Sequence, residues 1–235
     1  MTRFRTVDLL VTVTIGAAFG VAFLGYGQLY TLIGPLTTAF KPAEGLLAGI
    51  WFLPALLAAL IVRKPGAALL AEMIAAVLSM LLGSQWGWGT AISGLMQGGG
   101  VELAFLLFRY RRFTLPVAIL GGLFSAVLEW GWEKFAYYQE MSWTFSFAML
   151  GFFLLSGALL CGALGWVITR ALVATGALDA LPAGREAALR AQQSAPTAGG
   201  GAPAATMGTG AGTSTDADSD VAHGTAPGPS QKADA

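Results

Sequence analysis

Along the chain, apolar residues gather in six long runs near 8–28, 45–62, 65–83, 89–108, 114–134 and 148–173, parted by short polar or glycine- and proline-bearing connections. Each run is long enough, or nearly so, to cross about 30 Å of hydrocarbon as a helix. Pro65 and Pro116 fall at first-turn positions and predict the starts of the third and fifth helices. Pro35 and Pro42 fall in a predicted loop near 29–44, whereas Pro54 lies inside the second helix and predicts a kink there. Beyond about residue 177 the pattern dissolves into Ala, Gly, Pro, Ser and Thr, which cannot bury enough apolar surface to offset its ordering entropy. The division expected is a membrane domain over 1–176 and a tail over 177–235. In that tail LDALPAGREAALRAQQ predicts a short surface helix, with disorder from about 195 onward.

Composition agrees with a membrane protein: 55% of residues are hydrophobic and 11% charged, with a mean hydropathy of +0.66. A soluble domain carries about 25% charged residues. The formal net charge of +0 argues against a nucleic-acid partner, because binding phosphate needs a basic excess. Cys161 is the only cysteine, so no intrachain disulfide forms, and its apolar helix makes it a small buried hydrophobe. The only histidine, His223, lies in the tail, which removes His-based metal or acid–base chemistry from the membrane; no cofactor is expected. The first apolar run is too long for a cleavable signal and lacks a small-residue cleavage site.

Basic residues orient the bundle. Arg3, Arg5, Arg63, Lys64, Arg109, Arg111, Arg112, Arg170, Arg185 and Arg190 flank one set of helix ends; Lys41 and Lys134 alone flank the other. This asymmetry predicts six helices with both termini cytoplasmic, in a multi-pass protein of the plasma membrane. The opposite side is rich in aromatics, including Tyr26, Tyr30, Trp86, Trp88, Tyr137, Tyr138 and Trp143. An interfacial belt explains most of them. It does not explain the acids among them.

The stretch 63–102 is the most informative, because Glu72, Gln97 and Glu102 interrupt its two apolar runs. Ionisable groups inside a membrane point to function by default, although Glu72 also fits a hydrogen bond between helices, on a face with Ala68, Ala75, Ala76 and Ser79. Gln97 and Glu102, five residues apart, project about 140° from one another and need not share a ligand. Gln97 lies nearer the outer side and is the leading candidate. The three glycines between them weaken a helix by about 1 kcal/mol each relative to alanine. They imply close packing, a local break, or a ligand against bare backbone. They are not a phosphate loop, since no strand precedes them and no GK[ST] follows.

Glu129, Trp132 and Glu133, at i, i+3 and i+4, share a face at the outer end of the fifth helix. Two carboxylates and an indole suit a cationic or amine-bearing heteroaromatic, and equally a wetted helix end. Trp51, beside Pro54, either stacks on a ligand or packs the bundle. In the first helix Gly16, Ala17, Ala18, Gly20 and Ala22 make overlapping small-residue faces for a helix of this chain or another.

Three motifs, GIWF at 49–52, IVRKPGAALLAE at 61–72 and LMQGGGVE at 95–102, together with six helices over about 8–175, give the chain a family likeness. It resembles the YkoE family, substrate-binding (S) components of energy-coupling-factor (ECF) transporters for thiamine and its hydroxymethylpyrimidine precursor. The resemblance implies capture of the vitamin from outside, in a pocket under the loop between the first two helices. It implies partners: a transmembrane coupling protein (T component), two cytosolic ATPases and the lipid bilayer. It also implies docking on the coupling protein through an AxxxA face, here Ala18 and Ala22. The substrate-binding candidates are then Gln97, Glu72, Glu102, Trp51, Trp86, Glu129, Trp132 and Glu133. An aminopyrimidine edge suits Glu or Gln, its ring suits Trp, and a thiazolium suits an acidic, aromatic vestibule.

Two other classes compete. An intramembrane enzyme using Glu72 and Glu102 would need a water path and usually a nucleophile, a histidine or a paired-Asp motif, none of which the membrane segments carry. A structural assembly protein accounts for the small-residue faces but not for three buried polar side chains. No Walker A sequence is present, so ATP is used by a partner and this chain is a transport subunit rather than an enzyme.

Overall fold

The computed structural model describes residues 3–194, and these are helical with no strand among them. The tail from 195 onward, with its expected disorder and His223, lies outside the described residues. The elements are α1 (Thr6–Thr37), a 3₁₀ segment (Thr38–Ile50), α2 (Leu53–Val62), α3 (Ala67–Leu81), α4 (Gly89–Leu107), α5 (Leu115–Ala136), α6 (Trp143–Ser156), a π-helical stretch (Gly157–Ala163), α7 (Leu164–Ala174) and α8 (Pro182–Ser194). Residues 6–62, 89–107, 115–136 and 143–174 are each long and apolar enough to cross a membrane. The first of these folds back on itself and crosses twice, and the shorter α3 completes six passes. Large apolar side chains such as Leu32, Leu36, Leu81 and Leu107 face outward, as a bundle solvated by lipid requires.

The first half of the second pass departs from the expected pattern. The loop expected near 29–44 is instead the end of α1, which carries Pro35 inside it and runs to Thr37, followed by the 3₁₀ segment. Pro54 does not kink a helix interior; it occupies the first turn of α2, where its missing N–H costs nothing. The 3₁₀ segment hugs α6 because Gly45 and Gly49 present no side chain there. A Cβ on Gly45 would meet Phe153 at 2.7 Å, and Gly49 lies against the Ser156 backbone. Ser156 Oγ accepts from Gly49 N–H at 2.7 Å and donates to the Leu46 carbonyl at 2.7 Å. Hydrogen bonds lost by leaving the α-helical pattern are thus partly recovered from the neighbouring pass. The π-helical turn begins at the next residue and lays Gly157 and Gly162 against α5.

The glycine run of α4 serves close packing, and the helix through it is unbroken. A Cβ on Gly98 would meet Glu72 Cβ at 2.8 Å, so α3 approaches on that side. Gly100 lies against the backbone of Ser125 in α5, while Gly99 faces open space. Helix α4 is therefore wedged between α3 and α5 by the small residues that flank its Gln97.

The turn at 63–66 is held by acids from three helices. Lys64 Nζ pairs with buried Asp8 of α1, Arg63 pairs with Glu186 of α8, and Glu102 of α4 accepts from Gly66 N–H. The helix expected in LDALPAGREAALRAQQ is α8, and Leu178, Leu181 and Ala183 pack with Leu57, Ile61 and Val62. Residues 3–194, α8 included, belong to one compact unit.

Candidate functional site

One cavity of about 440 Å³ opens among the helix ends opposite to the 63–66 turn, within the size range of small-molecule sites. Glu72, Gln97, Glu129, Glu133, Trp51 and Trp86 all line it. These six sequence candidates come from five different parts of the chain and meet only through the fold. Glu102 and Trp132 are not among the lining residues.

The inner end is built by α3, α4 and α5. Glu72 is fully buried and its Oε2 accepts a 3.1 Å hydrogen bond from Ala55 N–H. Ala55 lies in the first turn of α2, where backbone donors lack helical partners. Beside Glu72 stands Glu129, 3% exposed, with the Ser93 and Gln97 side chains as hydrogen-bonding neighbours. Gln97 is 7% exposed, and its backbone carbonyl accepts from Ser125 Oγ at 2.6 Å. Glu72 Oε1 and Glu129 Oε2 are buried without a hydrogen-bond donor among the described residues. Glu133 stands one turn above Glu129, about 6 Å along the axis. Among the described residues none of Glu72, Glu129 and Glu133 forms an ion pair.

A chain of aromatic rings forms another wall. Trp51 contacts Phe23 at 4.5 Å, Tyr26 at 5.1 Å and Trp86 at 5.4 Å between centroids, and Trp86 continues to Tyr30 at 5.6 Å. The ring faces and the acids together suit a flat, electron-poor or cationic molecule.

At the outer end sits Glu44, which the sequence reading did not single out. Its Oε2 accepts from Tyr30 OH at 2.7 Å and Tyr138 OH at 3.3 Å, and its Oε1 from Thr37 Oγ1 at 2.8 Å and Lys41 Nζ at 2.6 Å. Burial pushes the Tyr138 phenol above its ordinary value, so it stays a neutral donor at physiological pH. One carboxylate thus ties the end of α1, the 3₁₀ segment and the 137–142 turn together over the cavity. An acid in an expected loop reads as solvated, and Tyr30 and Tyr138 read as belt residues. The available signal was the glycine pair at 45 and 49, which marks a segment packed tightly rather than looping free. Lys134, the other basic residue of this end, donates to the carbonyls of Tyr138, Gln139 and Met141 and leaves the cavity acids unpaired.

The remaining candidates lie elsewhere. Glu102 is at the opposite end of α4, where its carboxylate accepts from Gly66 N–H, Leu69 N–H and Tyr110 OH and caps the start of α3. The five-residue spacing that separates it from Gln97 also carries it about 7 Å along the axis, out of the cavity. Trp132 turns edge-on to Tyr137 at 6.2 Å, and its Nε1 has no acceptor among the described residues. On α1 the small residues divide between two faces. Gly16 and Gly20 are buried on α3, where added Cβ atoms would meet Ile74 at 2.7 Å and Leu78 at 2.9 Å, while Ala18 and Ala22 are exposed.

Comparison with known proteins agrees with this architecture. A family described as the permease component of ABC-type cobalt transport systems matches residues 7–128. A Bacillus subtilis (strain 168) protein named as an HMP/thiamine permease, YkoE, is 35% identical over 191 residues, covering 79% of this chain and 93% of its own. A crystal structure of an S-component of an ECF transporter superposes with a TM-score of 0.76 at 32% identity, covering 81% of this chain and 96% of the other. The shared sequence and shared fold extend over nearly the whole of both relatives, and the chain belongs to the YkoE family of ECF-transporter S-components, membrane subunits that bind the transported substrate.

Proposed function

We propose that this chain captures thiamine or its hydroxymethylpyrimidine precursor from outside the cell, in the cavity between α1, α3, α4 and α5. The observation that carries this reading is the lining: Glu72, Glu129 and Glu133 without a cationic partner, together with the Trp51–Trp86 aromatic wall. A flat aminopyrimidine offers donors to the acids and a face to the rings, and the thiazolium of thiamine supplies the missing positive charge. Cobalt suits the lining poorly. Among the described residues no three of His, Cys, Asp and Glu gather as a metal site.

The basic ends of the helices face the cytoplasm in this reading, which puts the cavity mouth and the Glu44 tie outside. The T component docks on the exposed Ala18–Ala22 face of α1, and two ATPases bound to that component supply the energy. Calorimetric titration of the purified full chain, without ATP, tests the reading. Saturable one-site binding of thiamine or hydroxymethylpyrimidine is expected; the absence of heat with both, on folded protein, would refute it.

A further inference from the structure

The turn between α4 and α5 lies among the helix ends away from the cavity mouth and takes no part in the cavity. Arg109 and Tyr110 both adopt the left-handed conformation there, with φ of 53° and 55°, which residues bearing a Cβ rarely hold. Two anchors hold the turn in this shape. Tyr110 donates its hydroxyl to Glu102 and stacks on Phe105, with centroids 6.3 Å apart. Phe113 stacks on the same Phe105 at 5.4 Å, and the Arg63 guanidinium lies 4.7 Å from the Phe113 centroid. With Tyr110 and Phe113 folded inward, Arg109, Arg111 and Arg112 are left exposed. Arg112 lies over the Phe108 ring at 5.9 Å, and none of the three arginines forms an ion pair among the described residues. The sequence carries no acid between Glu102 and Glu129.

Charge alone fits any polyanion, and position narrows the partner. Leu103, Leu106 and Leu107, spaced i, i+3 and i+4 in the last turns of α4, are exposed on one stripe, and Leu115 is exposed at the start of α5. The arginines follow this stripe directly, at the depth where acyl chains give way to headgroups. The α1 face assigned above to the T component lies on the far side of the bundle. Ile74 and Leu78 of α3 meet α1, while Leu69 and Glu72 meet α4, so α3 stands between the two. We propose that the 109–112 turn is a binding site for an anionic phospholipid. The three guanidiniums hold the headgroup phosphate through charge-assisted, bidentate hydrogen bonds, and the leucine stripe receives an acyl chain. Because Tyr110 and Phe113 already fix the turn, little ordering cost opposes binding.

Thermal melts of the purified full chain in a nonionic detergent, with phosphatidylglycerol or phosphatidylcholine added, test the proposal. Phosphatidylglycerol should raise the midpoint by about 5 °C over phosphatidylcholine, and glycerol phosphate, which lacks acyl chains, should not reproduce the rise. In the triple variant Arg109→Gln/Arg111→Gln/Arg112→Gln most of the rise should be lost, while melting in phosphatidylcholine matches wild type. Equal wild-type midpoints in the two lipids overturn the proposal, and that comparison needs no variant to fold. A full rise in the triple variant, or glycerol phosphate matching the lipid, overturns it too. Loss of T-component capture by the triple variant, with its lipid response unchanged, assigns the arginines to the protein partner and equally overturns it.

Discussion

Glu72 of α3 accepts a 3.1 Å hydrogen bond from the backbone N–H of Ala55, across the boundary between two membrane passes. Because α2 begins at Leu53, that N–H is one of the donors a helix start leaves unpaired, and the carboxylate meets the positive end of the helix dipole. The acid therefore combines the two roles that its sequence position left open. One oxygen joins α3 to α2, and the other stands with Glu129 at the inner end of the cavity.

The two roles separate by substitution. Glu72→Gln keeps an acceptor for Ala55 N–H and should leave thermal stability near wild type, while Glu72→Ala removes it and should lower the midpoint. Both should weaken thiamine binding by about tenfold or more, the loss of a charge-assisted partner. Gln97→Ala should lose affinity by a similar factor, about tenfold, with little change in stability. Titration alongside a thermal melt checks all three, and wild-type affinity in Glu72→Ala and Gln97→Ala would place the ligand elsewhere.

Glu102 offers the opposite outcome. Its carboxylate caps the start of α3 through Gly66 and Leu69 and lies away from the cavity. Glu102→Ala should destabilise the fold by about 1–2 kcal/mol, as loss of a helix cap does, and leave thiamine affinity within about threefold of wild type. Thermal melts followed by titration of the folded fraction distinguish this from a binding role. A large loss of affinity with unchanged melting would show that the carboxylate meets the ligand.

The small residues of α1 make two predictions because they face two ways. Leucine at both Ala18 and Ala22 enlarges an exposed face, so binding by the isolated chain should persist while uptake in cells is abolished. Leucine at Gly20 drives into Leu78 of α3 and should cost stability, about 1–3 kcal/mol for overpacking. Uptake assays paired with binding assays resolve the cases. Binding lost in the Ala18/Ala22 double variant would assign that face to packing within the chain.

Much of this was legible in the sequence, for reasons particular residues make plain. Six apolar runs, Pro65 and Pro116 at helix starts, and basic residues at alternate helix ends suffice for the bundle, because hydrocarbon tolerates few other spanning structures. Buried acids are conspicuous in such runs, and Glu72, Gln97, Glu129 and Glu133 do meet in one cavity. Depth was the weaker inference: Glu102 stands two residues beyond the glycines yet belongs to the other end of the helix. The 3₁₀ segment was illegible because two of its backbone groups, Gly49 N–H and the Leu46 carbonyl, find their partner in Ser156, more than a hundred residues away. Glu44 was hidden with it, since only that path buries a residue whose neighbours Lys41 and Pro42 spell a loop.

Tryptophan fluorescence tests the central claim most directly. Of seven tryptophans, Trp51 and Trp86 line the cavity. Titrating thiamine into the purified full chain without ATP should quench fluorescence saturably, and most of that quench should vanish in a Trp51→Phe/Trp86→Phe double variant that remains folded. No quench in folded wild-type protein, or an undiminished quench in the double variant, would contradict capture of the vitamin in this cavity.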